Sequence, residues 1–527
     1  MDLATALAQC NPHTTSPEQL AIQVAAWAEQ AKRLQQQADL ATKQGHEIHL
    51  KDTKIAALTF ELAYHKRIKF SSTSEAFTAQ QRDLFDETQE TDLNAMQAEL
   101  EQLSSMPRVK AKPTGRKPLP AQLPRIEQRH EPESCTCAQC GKDLVKIGED
   151  ITEQLDVEPA RFFVQRHIRP QYACRQCDTI TAAAIPASII DGGLATPSLH
   201  AWVVIQKYLD HLPLYRIEQI STRHGVTIAR STLAQWIGRI GVALQPLVDR
   251  LAELLKERRV LHADETPVPQ LDPGKGKTKR AYLWAYRSNN LEPDAPIVVF
   301  EFQPSRSGSH AKTFLANWQG HLMVDDYGGY KHLFKQGITE LACLAHVRRK
   351  FFDLHAANQH PVAAEALQRI AELYSLESEA AHFSIEERQR WRAEHAKPRL
   401  DAMHLWLHKT RKTSAEGSAL SRAIDYCVKR WTAILRYADS GHLPIDNNPI
   451  ENAIRPIAIG KKNWLFAGSE RAGKRAAAIQ TLLATAKANN IEPFAWLKDT
   501  LEKLPTCPNS RIDELLPLRL TANLISE

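Results

Sequence analysis

Three carboxylates stand where acids are costly: Asp264 follows the apolar "VLHA", Asp325 follows "HLMV", and Glu451 lies in "IDNNPIENAIRP", ahead of Arg455, Lys461 and Lys462. An acid in an apolar strand is expensive to bury unless a cation pairs with it, and a metal ion is such a cation. The first two have acidic neighbours, Glu265 and Asp326. Strand alternation sends adjacent side chains to opposite faces, so one of each pair can join a common site. Asp264 and Asp325 are the choice because they come directly after the apolar runs. Oxygen-only ligands suit hard cations, magnesium or manganese, rather than zinc. Glu451 has a second reading. With Asn448 as N-cap and Pro449 at the first helical position, it completes a capping box. Pro456 is expected to end that helix after about two turns, with Arg455 one turn from Glu451 on the same face.

The cysteines offer different chemistry. Cys137 and Cys140, then Cys174 and Cys177, form two Cys-x2-Cys knuckles separated by 33 residues, with Gly141 placed for a tight turn. Each knuckle can give two thiolates to one tetrahedral zinc, and the intervening alternating segments suit a zinc ribbon. Free thiols in a reducing compartment are the other reading; Cys135 is a spare. Nine cysteines in 527 residues, four of them in these knuckles, do not make a disulfide scaffold.

Elements must hold these groups in place. "RRVLHADETPV", "RAYLWAYRS" and "PIVVFEF" read as strands, "SGSHAKTFLANW" as a helix, "GHLMVDDYGGY" as a fourth strand, and "ITELACLAHVRRKFF" as a fifth strand entering a basic helix. That is the order of the ribonuclease H-like fold, whose acids lie on the first strand, after the fourth, and on a helix after the fifth. The fold class is multidomain α+β, with a mixed five-stranded catalytic sheet over 256–500 and a helical insertion at about 360–435. Residues 501–527 form a tail.

Upstream modules follow in series. In 17–66, Leu34, Ala41, Ile48, Ile55 and Leu62 recur every seven residues, a leucine-zipper-like helix that either self-associates or docks on its own protein. A basic, Pro-rich linker spans 104–133, with Arg116 and Lys117 in "GRKPLP"; it is a solvated tether or a strand that neutralises phosphates. The zinc-binding domain covers 134–185. Within 195–255, two helical patterns joined at "HGVTIA" read as a helix-turn-helix or a plain helical hairpin. Gly225 stops the first helix, and Ser231 or Thr232 caps the second, at about 231–241, which would bring Arg230, Ser231 and Thr232 to a DNA groove. Arg348, Arg349 and Lys350, with His346, lie on the basic helix after the fifth strand, favouring DNA contact over catalysis. Trp464 and Phe466 either stack on unpaired bases or pack. A net charge of +6 is only mildly basic, so charge placement carries the signal. No apolar run reaches the roughly 20 residues of a membrane span, and the first residues lack a signal-peptide pattern, so a cytoplasmic, nucleoid-associated protein is expected.

Taken in order, "RKPLPAQLPR", the paired knuckles, "HADETPV", "VDDYGGY", "CLAHVRRKFFD" and "IDNNPIENAIRPIAIGKKNWLFAGS" closely resemble the DDE transposases of insertion-sequence family sixty-six. The family has Gly where Asp326 stands and Trp where Leu344 stands; the former supports Asp325 as the ligand. The resemblance implies a transposase that binds the terminal inverted repeats of a mobile element and performs DNA cleavage and strand transfer into target DNA. It further implies two divalent cations held by Asp264, Asp325 and Glu451, one structural zinc, a homodimer or larger assembly on DNA, and accessory proteins encoded by the same element. Arg455, Lys461 and Lys462 would hold the phosphate backbone. A non-catalytic DNA-binding regulator and a ribonuclease H-like nuclease without strand transfer are the rival readings.

Overall fold

The computed structural model describes scattered residues between 29 and 58, residue 119 and, with short gaps at 132–134, 137–138, 159–160, 191 and 273, residues 123–519. Two compact units are present, one comprising 1–67 with 99–109, the other 68–98 with 110–527. In the first, the described residues from Glu29 to Leu58 are helical, and Leu58 is buried. Leu34, Ala41, Ile48 and Leu62, on which the seven-residue repeat rests, lie outside the described residues, as do Arg116 and Lys117.

The second unit begins with a sheet of four strands: β1 (Arg125–Arg129), β2 (Val145–Glu158), β3 (Arg161–Ala173) and β4 (Ile180–Ala182). The basic linker therefore ends as a strand, with β1 running parallel to β3 from Arg125 opposite Val164. Helices α1 (Pro197–Tyr208), α2 (Leu214–Arg223), α3 (Arg230–Ala243) and α4 (Gln245–Lys256) follow. Gly225, at φ +81°, supplies the turn between α2 and α3. The expected Ser231 or Thr232 cap is not used: Ala229 occupies the N-cap position without a side-chain bond, and the Glu218 carboxylate of α2 accepts from the Arg230 amide at 3.2 Å instead. Helix α3 also buries eight of its fourteen residues, Leu233 to Val242. A helix so enclosed offers DNA only its first turn, where Ser231 is exposed and Arg230 and Thr232 are half-buried.

The larger sheet contains β5 (Val260–Asp272), β6 (Lys277–Ser288), β7 (Val298–Gln303), β8 (His321–Val324) and β9 (Thr339–Ala342), in the order β7-β6-β5-β8-β9. β5 pairs antiparallel with β6 and parallel with β8, and α5 (Gly308–Phe314) connects β7 to β8. After α6 (Lys331–Phe334) and β9, α7 (Leu344–Asn358) leads into α8 (Pro361–Glu379), α9 (Ile385–Trp391), α10 (Lys397–Thr413), α11 (Ala419–Lys429) and α12 (Trp431–Leu435). The insertion does not merely loop out. Its Leu373, Leu400, Met403 and Ile424 share one buried cluster with Val260, Met323 and Leu341, so it covers one face of the sheet.

Helix α13 (Asn448–Trp464) runs through Pro456, contrary to the expected stop. Ile450, Ile454 and Ile457 form a stripe one helical turn apart, packed on Val268, Leu283 and Phe300. Burying three isoleucines outweighs the roughly 3 kcal/mol cost of an internal proline, and Pro456 itself is exposed. Helix α14 (Glu470–Ala488) closes the edge of the sheet. Thr481 and Thr485 accept from the amides of Phe300 and Val298 at 2.8 and 3.1 Å, satisfying strand donors that would otherwise be orphaned. Helix α15 (Pro493–Lys503) follows.

Pro456→Ala restores one backbone donor without touching the isoleucine stripe. It is expected to stabilise the protein by about 1–3 kcal/mol in thermal or urea unfolding; unchanged or lower stability would show that the proline bend fits the helix to the sheet.

Candidate active site and metal centre

The parallel register of β5 and β8 places His262 opposite Met323, so two residues further on Asp264, within β5, stands beside Asp325, directly after β8. Both share the parity of Val260 and Met323, which face the insertion. Glu265 has the opposite parity, shared with Leu261 and Ala263. There Arg306 Nε donates to it at 2.7 Å and Tyr330 Oη at 2.7 Å, and its side chain is fully buried. Asp326 lies 3.5 Å from Arg430, which also reaches Glu340 at 2.8 Å. Two of the five acids thus have their own arginines. Among the described residues, no Lys or Arg forms an ion pair with Asp264, Asp325 or Glu451.

Electrostatics link Asp264 to each of the other two. Burial, and then the negative charges of Glu265, Asp325 and Glu451, push the Asp264 carboxyl up to about 8, against only one lowering contact, the Glu265 amide. That amide donates to Asp264 Oδ1 at 2.8 Å, and the Tyr327 amide donates to Asp325 Oδ1 at 2.8 Å. Glu451 Oε1 is 3.8 Å from His346 Nδ1.

Glu451 reaches this place through Asn447. The Asn447 side chain donates to the Ala263 carbonyl at 3.0 Å, its Oδ1 is 2.9 Å from His262 Nδ1, and its amide donates to Cys343 Sγ at 3.1 Å. With that side chain engaged elsewhere, the helix starts one residue earlier than expected, at an Asn447 N-cap without a side-chain bond. Asn448 instead donates twice to the Asp446 carboxylate, from its backbone amide at 3.0 Å and its side-chain nitrogen at 2.7 Å. Glu451 then falls one place beyond the third helical position, and the expected capping box is absent. The insertion grips the same segment. Tyr374 donates to Asp446 at 2.9 Å, Arg388 to the Gly441 carbonyl at 3.0 Å, and the fully buried Arg392 to the carbonyls of Tyr437 and Leu443 at 2.9 and 2.8 Å.

The expected DNA-facing cations take several positions. Arg455 and Lys462 are exposed on α13, while Lys461 donates to the Pro267 carbonyl at 3.1 Å. Arg348, Arg349 and Lys350 are exposed on α7. Arg348 lies over the Phe352 ring and Lys350 over Tyr426, at 5.7 and 5.5 Å. Arg230 pairs with Glu218 at 3.2 Å. Phe466 is buried, and Trp464 is half-buried beside a cavity of about 90 Å³ also lined by Val268, Leu283 and Phe302; packing describes both.

The sulfur centre is compact. Sγ atoms of Cys140, Cys174 and Cys177 lie within 4.8 Å of one another, while Cys137 lies outside the described residues. Backbone amides of Gln176 and Cys177, with the Cys140 thiol, lower Cys174 to about 6. Convergent thiols held by turn amides fit a structural zinc.

Comparison with known proteins places these features. Residues 192–475 match the family described as "Transposase IS66 family". Residues 134–178 match the "zinc-finger binding domain of transposase IS66", 481–518 the "IS66 C-terminal element", and 57–127 "Transposase C of IS166 homeodomain". Three uncharacterized proteins of Sinorhizobium fredii (strain NBRC 101917 / NGR234) are similar over most of their length. Protein y4qI is 38% identical over 88% of this chain and 89% of its own. Protein y4jD is 37% identical over 78% and 83%, and y4hP 34% identical over 80% of each. Among the described residues, no helix is long and apolar enough to cross a membrane.

Two predictions follow from this chemistry. A carboxyl raised in the folded state holds its proton where the unfolded chain has lost it, so its contribution to stability is complete below about pH 4 and is lost as pH rises through about 8. Asp264→Asn, measured in EDTA, should therefore raise the unfolding temperature at pH 8 and change it little at pH 4; the reverse ordering would contradict the electrostatic account. For the sulfur centre, Cys174→Ser is expected to lose about one equivalent of zinc by elemental analysis and to unfold more readily, whereas retained zinc would exclude Cys174 as a ligand.

Proposed function

The chain belongs to the IS66 transposase family, and from that membership we propose that it binds the ends of an insertion sequence and catalyses DNA strand cleavage and strand transfer at Asp264, Asp325 and Glu451. One observation carries the reading: among the described residues no Lys or Arg forms an ion pair with Asp264, Asp325 or Glu451, and the charges of the latter two act on Asp264, while Glu265 and Asp326 are each paired with an arginine. A protein gains nothing by leaving such a cluster uncompensated unless a cation enters it. The oxygen-only donor set and the raised Asp264 carboxyl fit hard divalent ions. Two magnesium or manganese ions at these carboxylates would supply Lewis-acid activation of an attacking water or 3′-hydroxyl and stabilise the leaving oxygen.

The chain's own groups do the remainder. Adjacent strands of a ribonuclease H-like sheet fix the two aspartates, Asp264 within β5 and Asp325 directly after β8, and α13, tied to β5 through Asn447, carries Glu451. Arg455 and Lys462 on one side, with Arg348, Arg349 and Lys350 on the other, hold phosphates and give affinity that falls with salt. Within 107–242, sequence preference for the terminal repeats comes from the first turn of α3 near Ser231, and the basic stretch with Arg116 and Lys117 adds salt-dependent affinity. Pairing of two protomers through residues 17–66 would bring two element ends together.

Glu451→Gln, Asp264→Asn and Asp325→Asn are expected to lower magnesium-dependent cleavage of an end-bearing duplex by about 10³-fold or more while keeping its binding. Asp326→Asn, whose partner is Arg430, should keep most activity. Efficient cleavage by Glu451→Gln would overturn the assignment, and DNA binding without cleavage by the unaltered protein under any divalent ion would favour the regulator.

A further inference from the structure

We propose that Cys343, His346 and Glu451 form a second kind of metal site, one for a soft divalent cation such as zinc, and that filling it withdraws Glu451 from the magnesium-dependent reaction. The effect on activity rests on the function proposed above; the binding does not.

One ligand atom from each of the three residues lies within 4.8 Å of the others. Cys343 is the N-cap of α7 and His346 falls three residues on, so the two share a face of its first turn. Glu451 meets them from α13, with Oε1 3.8 Å from His346 Nδ1. One sulfur, one nitrogen and one oxygen make a set that magnesium takes poorly and zinc takes well. Zinc bonds of about 2.0–2.3 Å require ligand atoms somewhat closer together, and rotation of the half-exposed His346 and Glu451 side chains supplies that closure.

Two further observations point the same way. His346 Nδ1 is buried without a hydrogen-bond partner, an orphan that a cation would satisfy. Cys343 Sγ receives the Asn447 amide at 3.1 Å and also the His346 amide, the support that metal-bound sulfur commonly has. Burial keeps that thiol protonated, so binding exchanges the proton for the metal and releases it to solvent. Side-chain exposures of 28% for His346 and 32% for Glu451 leave a path for the ion and room for a water as fourth ligand. The Cys343-x2-His346 spacing is visible in "CLAH", but only α13 supplies the third ligand.

Cobalt is the probe, because a thiolate ligand gives it a near-ultraviolet charge-transfer band that oxygen ligands do not. Full-length protein with its sulfur centre loaded with zinc, verified before and after by metal analysis, is titrated with cobalt in the absence of DNA. One further equivalent should bind with the band in the unaltered protein, and the band should be missing in Cys343→Ser, or in Cys343→Ala if the serine variant does not fold. No further equivalent, or a band that persists without Cys343, overturns the site. In magnesium-dependent cleavage, zinc beyond the first equivalent should slow the unaltered protein about tenfold or more and slow Cys343→Ser far less relative to its own zinc-free rate. Equal sensitivity overturns the antagonism. Absence of cleavage under every metal would count against the proposed function alone, since the cobalt band decides the site independently.

Discussion

Asn447 is the contact on which the site depends. Its side chain is fully buried and joins groups remote in sequence: the Ala263 carbonyl just before Asp264, His262 two residues before Asp264, and, through its amide, Cys343 at the start of α7. Breaking a buried amide away from such partners leaves several polar groups without water or substitute, so the arrangement tolerates little drift. Asp264 and Glu451 therefore move as parts of one body. Desolvation lowers His262 to about 4, which keeps it neutral, and because the Asn447 side-chain nitrogen donates to Ala263, its Oδ1 accepts from a proton assigned to His262 Nδ1.

Around that knot the protein separates two kinds of buried acid. Glu265 and Asp326 meet arginines and take part in holding β5 to α5 and β8 to α12. Asp264 and Asp325 accept from backbone amides, and Glu451 lies beside His346. The first pair has arginine partners, whereas Asp264 is held under the negative charges of Glu265, Asp325 and Glu451. That difference follows from strand parity at Asp264 and Glu265, where one residue's shift exchanges the faces.

Strand parity is also what made this part of the site legible in sequence, because a period of two needs no knowledge of distant residues. The helix start at Asn447 was not legible: Asn447 and Asn448 are equally good local caps, and the choice is made by Ala263 and His262, more than 180 positions away. Pro456 reads locally as a stop and is overruled by three isoleucines on the sheet. The same holds for α3, where Glu218 of the preceding helix replaces the expected Ser231 or Thr232 cap. Arg306 and Arg430 sit in stretches with no motif, and their partners lie 41 and 104 residues off. Local rules gave the elements and the facing of the acids; what escaped them were the contacts made across long sequence separation.

The insertion gains a physical meaning from the same geometry. Between Asp325 and Glu451 lie 125 residues, and a flexible loop of that length would leave Glu451 with a broad range of positions at modest entropic difference from a shorter one. These residues are folded instead, with a core continuous with the sheet. Three of their side chains return to the chain just ahead of Glu451: Tyr374 to Asp446, Arg388 to Gly441, and Arg392, paired with Glu377, to Tyr437 and Leu443. Buried guanidinium groups on backbone carbonyls are strong, directional bonds in a dry environment. A Cβ at Gly441 would collide with the Ile385 carbonyl, so that segment lies flush against the insertion. The long connection thus restricts the backbone that delivers Glu451, while the half-exposed side chain itself keeps room to turn.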